Sequence, residues 1–303
     1  VLQAGDYDQG ALERLKASKF GGDPDISRIR YESYQPPLYY VLGGALMALT
    51  PGEQNDLSVL RLFSVALGAL AIVVIAAIGR EVAPDAPEVM LGAAMLAAFI
   101  PQRIAVSASA SNDILGELLL SLMALLAIRR LKGLTLRRFV LVGAVLLGLA
   151  LLTKVTAYIG VVLLAAGELG HWRLIEQRRT RLPIGAAVGV VGGALLISGW
   201  WFVRNALVYG NLDILGTMRH DAVVLGQPRT VWGMEAVRHF VVTTFQSFWG
   251  VFGWMGVVVD VRIYGLLAVL TGLAVCGVVI AVGKHVAWRR RRPSLSSGGC
   301  AHG

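Results

Sequence analysis

The chain alternates between long apolar runs and short polar breaks, many of them basic. Seven runs approach the length of membrane spans: roughly 58–79, 89–106, 113–131, 138–153, 155–170, 183–204 and 263–283. A hydrocarbon core about 30 Å thick needs about 20 apolar residues in helical form. The runs 138–153 and 155–170 are short, and sixteen residues rise only about 24 Å. They flank Lys154, so they read as two short helices meeting at a wet, recessed point. An eighth run, 37–50, is too short to span and suits a helix lying in the interface. Pro36 and Pro37 stop any preceding helix and can open this one. Tyr39 and Tyr40 then fall at headgroup level.

Charge orients the runs. Segments 80–88, 129–138, 171–182 and the tail from Lys284 share one face in this arrangement, and together they are strongly basic. The opposite face comes out slightly acidic. The positive-inside rule makes the basic face cytoplasmic. The expected fold is an all-α integral membrane protein with about seven transmembrane helices, a juxtamembrane helix and a long extracytoplasmic loop. Its parts are an outer segment 1–57, a six-helix core 58–204, an outer loop 205–262, a last span 263–283 and a basic tail 284–303. This ordering requires 37–50 not to cross, because a crossing there would alternate the basic clusters between faces.

Composition excludes a soluble globular class. Hydrophobic residues make up 56% of the chain and charged residues 16%, against about 25% charged in an ordinary soluble domain. The net charge of +9 does not point to nucleic acid, because the basic residues sit between apolar runs and at one chain end. Cys276 lies in an apolar run and Cys300 in the tail, so no disulfide framework is expected. The histidines show no metal-ligand spacing. The opening VLQAGDYDQG has neither an initiator Met nor a signal peptide and reads as the interior of a longer protein.

Charged groups in or beside spans are costly and commonly functional. Arg61, Asp113, Glu117, Lys154 and Arg204 all map to the outer half of the bilayer in this topology. Each also reads as an interfacial anchor whose side chain reaches water. Asp113 follows Ser111 and Asn112, a good helix-start signal. Glu117 is four residues on and shares its face. The two acids could hold a divalent cation or face a wet cavity. No metal is demanded by the sequence. Glu32 and Gln35 lie just before the Pro-Pro step. Arg204, beside Trp200 and Trp201, either closes an aromatic belt or offers a planar fork to a phosphate. The Gly-interrupted segment 245–256 reads as a re-entrant or interfacial hairpin, or as packing beneath the loop.

The pieces QPPLYY (35–40), LRLFSVALGAL (60–70), SASASNDIL (107–115), GLALLTKVTA (148–157) and WWFVRNALVYGN (200–211) together resemble the GT-C superfamily of polyprenyl-phosphate-sugar glycosyltransferases. They are closest to bacterial members near the protein mannosyltransferases and the lipid A aminoarabinose transferase. SFWGVFGW (247–254) resembles a related bacterial membrane family. The resemblance covers roughly residues 30–260.

It implies transfer of a sugar from a polyprenyl-phosphate carrier to an extracytoplasmic acceptor (glycan, lipid or protein), with inversion, in a bacterial plasma membrane. The implied substrate-binding set is Glu32, Gln35, Asn112, Asp113, Lys154, Arg204, Asn205 and Tyr209. Lys154 and Arg204 would take the phosphate, and Asp113 with Glu32 would line a sugar or metal pocket. Gln35 stands where the family often has His or Lys. The family's catalytic acid follows a first span and is expected upstream of residue 1, so this chain alone is expected to be inactive or impaired. A transporter or flippase-like protein, or a non-catalytic subunit that binds lipid carriers, is the alternative reading.

Overall fold

The structure, a computed structural model, describes residues 9–18, 34–50, 56–176, 182–210, 212–218, 220, 233–252 and 257–291. It divides into two compact units, Val1–Val231 and Trp232–Gly303.

In the first unit the helices are α1 (Gln9–Ala17), α2 (Leu38–Leu49), α3 (Asp56–Val82), α4 (Pro87–Phe99), α5 (Pro101–Ser107), α6 (Asp113–Leu131) and α7 (Leu136–Leu151). A 3-10 turn (Val155–Ile159), α8 (Gly160–Leu174) and α9 (Ile184–Tyr209) follow. The second unit holds α10 (Met234–Trp249), a hairpin of β1 (Val251–Phe252) and β2 (Val257–Val258), and α11 (Val261–Arg291). The hairpin is antiparallel, with Val251 opposite Val258 and Phe252 opposite Val257.

Side-chain neighbours fix how α3, α6, α7, α8 and α9 run. A Cβ on Gly68 of α3 would meet Ile114 at the start of α6, and Glu81 near the end of α3 pairs with Arg129 near the end of α6. These two helices therefore run parallel. Gly148 of α7 faces Ala194 and Ile197 of α9, and Gly143 faces Val190, so α7 and α9 are also parallel. Gly160 and Gly167 of α8 face Met123 and Ala127 of α6. One end of the unit thus carries the starts of α3 and α6, the turn 152–159 and the end of α9. The ends of α3, α6 and α8, around 81, 129–132 and 171–176, gather at the other end.

The helices approach closely through small residues, the packing that suits helices in lipid. A Cβ on Gly167 would lie 2.8 Å from the Ala127 Cα, a backbone atom that cannot yield. Gly167→Ala is expected to destabilise the protein by about 1–3 kcal/mol, read as an earlier thermal transition in detergent. Gly92→Ala, which adds a methyl to open space, should leave the transition unchanged.

The outward faces are apolar and uncovered, as at Leu196 (89% exposed) and Leu207 (80%). Such surfaces need hydrocarbon around them. Among the described residues four helices are long and apolar enough to cross a membrane: α3, the stretch Val155–Leu174, α9, and Val261–Ile280 of α11. The α4 and α5 pair, bent by 65°, would make a fifth.

This differs from the seven crossings expected, for two physical reasons. α7 has only 16 residues, and α6 carries Asp113, Glu117, Arg129 and Arg130 toward its ends. Both nevertheless run between the same two ends as their longer neighbours. The run 89–106 is not one straight helix, because Pro101 starts a new helix after an extended Ile100, where a proline ring clashes with the preceding turn. The expected loop 205–262 is also partly helical: α9 continues to Tyr209, and α10 occupies 234–249. α2, of 12 residues, is too short to span.

Candidate functional site

The turn 152–154 gathers three of the motifs singled out in the sequence. α7 ends at Leu151, and Lys154 is extended (φ −162°, ψ 143°) before the 3-10 turn begins. The Leu38 amide, just after Pro36-Pro37, donates to the Leu152 carbonyl at 2.8 Å. That bond satisfies an amide that a helix start otherwise leaves unpaired. The buried Asn112 side-chain amide donates to the Thr153 carbonyl at 3.2 Å. The Thr153 hydroxyl donates back to Leu149 at 2.7 Å. Two distant chain segments and the end of α7 thereby hold one short turn and the lysine on it.

The Lys154 ammonium donates to Asp113 Oδ1 at 2.5 Å. The pair is not sealed off: the Lys154 side chain is 23% exposed and that of Asp113 48%. Asp113 starts α6, as its sequence context indicates. The Ser111 hydroxyl donates to Asp113 Oδ2 at 2.8 Å and accepts the Asp113 amide at 3.2 Å. The capping hydroxyl is therefore that of Ser111, and Asn112 is turned away to the Thr153 carbonyl.

A second group lies at the same end of the unit. Arg204 donates from Nη1 to Asn205 Oδ1 at 2.8 Å and to the Tyr209 hydroxyl at 3.0 Å. Its guanidinium lies 4.8 Å from the Trp201 ring centre and 5.3 Å from that of Tyr209. These contacts fix the plane of the fork. Asn205 is buried and donates to the Ile214 carbonyl at 3.1 Å, anchoring the following loop. Gly216, at φ +73°, leaves room for Tyr34, which a Cβ there would strike. Tyr158, four residues after Lys154, makes an edge contact with Phe202, two residues before Arg204 (6.2 Å between ring centres).

The other residues of the expected set separate. Gln35 is half-buried three residues before Leu38, whose amide bonds to the Leu152 carbonyl. Glu32 lies outside the described residues. Arg61 is exposed on the first turns of α3. Glu117, about a third exposed, does not join Asp113. It accepts a 2.6 Å bond from Arg103 Nε, and Arg103 Nη2 donates to the Gly68 carbonyl at 2.7 Å. Each acid has its own cation, so the two do not form a cation cage. Among the described residues no group of three or more His, Cys, Asp or Glu could hold a metal.

Arg103 was missed by reading the sequence. Its signal was present, as an arginine inside an apolar run two residues after a proline. A second missed feature is at the opposite end, where Glu168, inside an apolar run, pairs with Arg130. An apolar cleft of about 210 Å³ also lies there, between α7, α8 and α9, and none of the expected site residues lines it.

The chain is a membrane glycosyltransferase of the GT-C type. It belongs to the dolichyl-phosphate-mannose-protein mannosyltransferase family, whose model matches residues 34–202, over half of its length. The matched span contains Gln35, Asn112, Asp113 and Lys154 and stops two residues before Arg204. No curated protein and no solved structure matches the chain. Family membership favours a transferase over the transporter and the non-catalytic subunit.

Proposed function

We propose that the protein moves a sugar from a polyprenyl-phosphate carrier to an acceptor at the extracytoplasmic face of a bacterial plasma membrane, with Lys154 and Arg204 holding the carrier phosphate. The observation that carries this reading is the Lys154 ammonium, on a turn pinned by two distant segments and partly open, at the same end as a guanidinium fixed between two rings. In the reaction the acceptor oxygen bonds the anomeric carbon as the sugar–phosphate bond breaks. The phosphate leaves with the electron pair, and a base takes the acceptor hydroxyl proton. Positive charge aimed at the departing phosphate lowers that barrier. Asp113, bonded to Lys154 and to the Ser111 hydroxyl, suits a positioning role.

Without a phosphate in place, Asp113 is the anion on Lys154. A carrier phosphate must compete with it. The test is binding of sugar-free polyprenyl phosphate to the full-length protein. Lys154→Ala is expected to weaken binding at least about tenfold, the size of a hydrogen bond to a charged group. Asp113→Asn is expected to tighten it several-fold by removing a competing negative charge. Unchanged binding in both variants would remove the phosphate from this turn.

A further inference from the structure

The second unit contains a helix that is too polar to cross a membrane and too apolar to stand in water. In α10, Met234, Val237, Val241, Phe245 and Phe248 recur at spacings of three and four residues, so they share one face. Glu235, His239, Thr243 and Gln246 fall on the opposite face. No residue of α10 is buried. Met234, Val237, Val241 and Phe248 are all exposed.

The geometry after the helix says what the apolar face meets. The Gly250 amide closes the last turn of α10 by donating to the Gln246 carbonyl at 2.9 Å. The Tyr264 hydroxyl, in the first turn of α11, donates to the Gly250 carbonyl at 2.5 Å. The same hydroxyl accepts the Val259 amide at 3.1 Å. One buried tyrosine thus ties the end of α10 and the base of the hairpin to the start of α11. The stretch Val261–Ile280 of α11 is long and apolar enough to cross a membrane, and its side chains are almost wholly uncovered. The first turn of a spanning helix lies at the membrane surface. The end of α10 is therefore held at that surface.

We propose that α10 lies in the plane of the membrane, with its apolar face sunk to the headgroup–acyl boundary and its polar face in water. A crossing orientation would bury Glu235, His239 and Gln246 in hydrocarbon, which is costly. An in-plane orientation buries only the apolar face. Arg238, at the margin of the apolar face, can extend its head group back to the phosphates while its stem stays apolar. Phe245 and Phe248 give that face the aromatic character of an interfacial segment. The occupant of this surface is lipid.

The test uses the full-length protein with Cys276 and Cys300 replaced by serine, reconstituted in phosphatidylethanolamine–phosphatidylglycerol vesicles. Nitroxide labels are placed at Val241→Cys and Phe248→Cys on the apolar face, and at His239→Cys and Thr243→Cys on the polar face. Relaxation by oxygen and by a water-soluble nickel chelate reports the surroundings of each label. The expected result is a several-fold higher oxygen-to-nickel ratio at 241 and 248 than at 239 and 243. Equal ratios on the two faces would overturn the proposal. So would shielding of 241 and 248 from both reagents, which would mean that protein covers the face. Exclusion of nickel at all four sites would mean a crossing helix and would also overturn it.

Discussion

Lys154→Ala and Arg204→Ala, made in the full-length protein, each lower sugar transfer by about a hundred- to a thousandfold while expression and thermal transition stay near wild type. The magnitude is that of losing one preorganised donor to developing negative charge. The phosphate gains charge as the sugar–oxygen bond breaks, so a cation aimed at it is worth more in the transition state than in the bound donor. The loss should therefore fall mainly on kcat.

The two sites differ in what a conservative replacement retains. Lys154→Arg keeps a charge on a flexible stem and should keep part of the activity. Arg204→Lys should not, because the fork is held by Asn205, Tyr209 and Trp201 in one plane that an ammonium cannot reproduce. Normal transfer by both alanine variants would sink the site assignment.

Glu168→Ala destabilises the protein by about 1.5–3 kcal/mol, the cost of removing two hydrogen bonds from a buried guanidinium whose remaining carboxylate, that of Glu176, is 3.9 Å away. Arg130 and Glu168 are only 4% and 7% exposed. Two bonds join them, Nε to Oε2 at 2.6 Å and Nη2 to Oε1 at 3.2 Å. Arg130 Nη1 also donates to the Leu134 carbonyl at 2.7 Å, at the turn between α6 and α7. The pair therefore clamps α8 to the α6–α7 turn, at the end remote from Lys154. Melting in detergent should show a large drop for Glu168→Ala and a smaller one for Glu168→Gln, which keeps an acceptor. The double variant Arg130→Leu with Glu168→Leu should melt closer to wild type than either single change, because both buried charges leave together and the remaining Glu176 is about a third exposed. Equal melting of Glu168→Ala and wild type would show that the pair is dispensable.

Much of the fold was legible in the sequence, because apolar length and charge position are local signals. The helix starting at Asp113 was marked by Ser111 and Asn112, and the break at Lys154 by two short apolar runs meeting on a charge. Other features depend on which distant group a side chain finds. Glu117 and Asp113 share a helix face, and nothing local says that Arg103 takes one and Lys154 the other. The Pro101 bend and the amphipathic α10 were readable signals, the first hidden inside an apolar run and the second inside a stretch read as loop. The linkage of Leu38, Asn112 and Lys154 through one turn is a product of tertiary packing. Sequence order placed these residues at one end of the bilayer but could not make them neighbours.

The central claim is that this site transfers sugar from a lipid phosphate. The most direct measurement follows the full-length protein in proteoliposomes supplied with polyprenyl phosphate carrying radiolabelled mannose or aminoarabinose. The account predicts that label moves to an acceptor, that one polyprenyl phosphate is released for each sugar transferred, and that Lys154→Ala lowers both by about a hundredfold or more. Movement of sugar or lipid across the bilayer with the sugar–phosphate bond intact would contradict it.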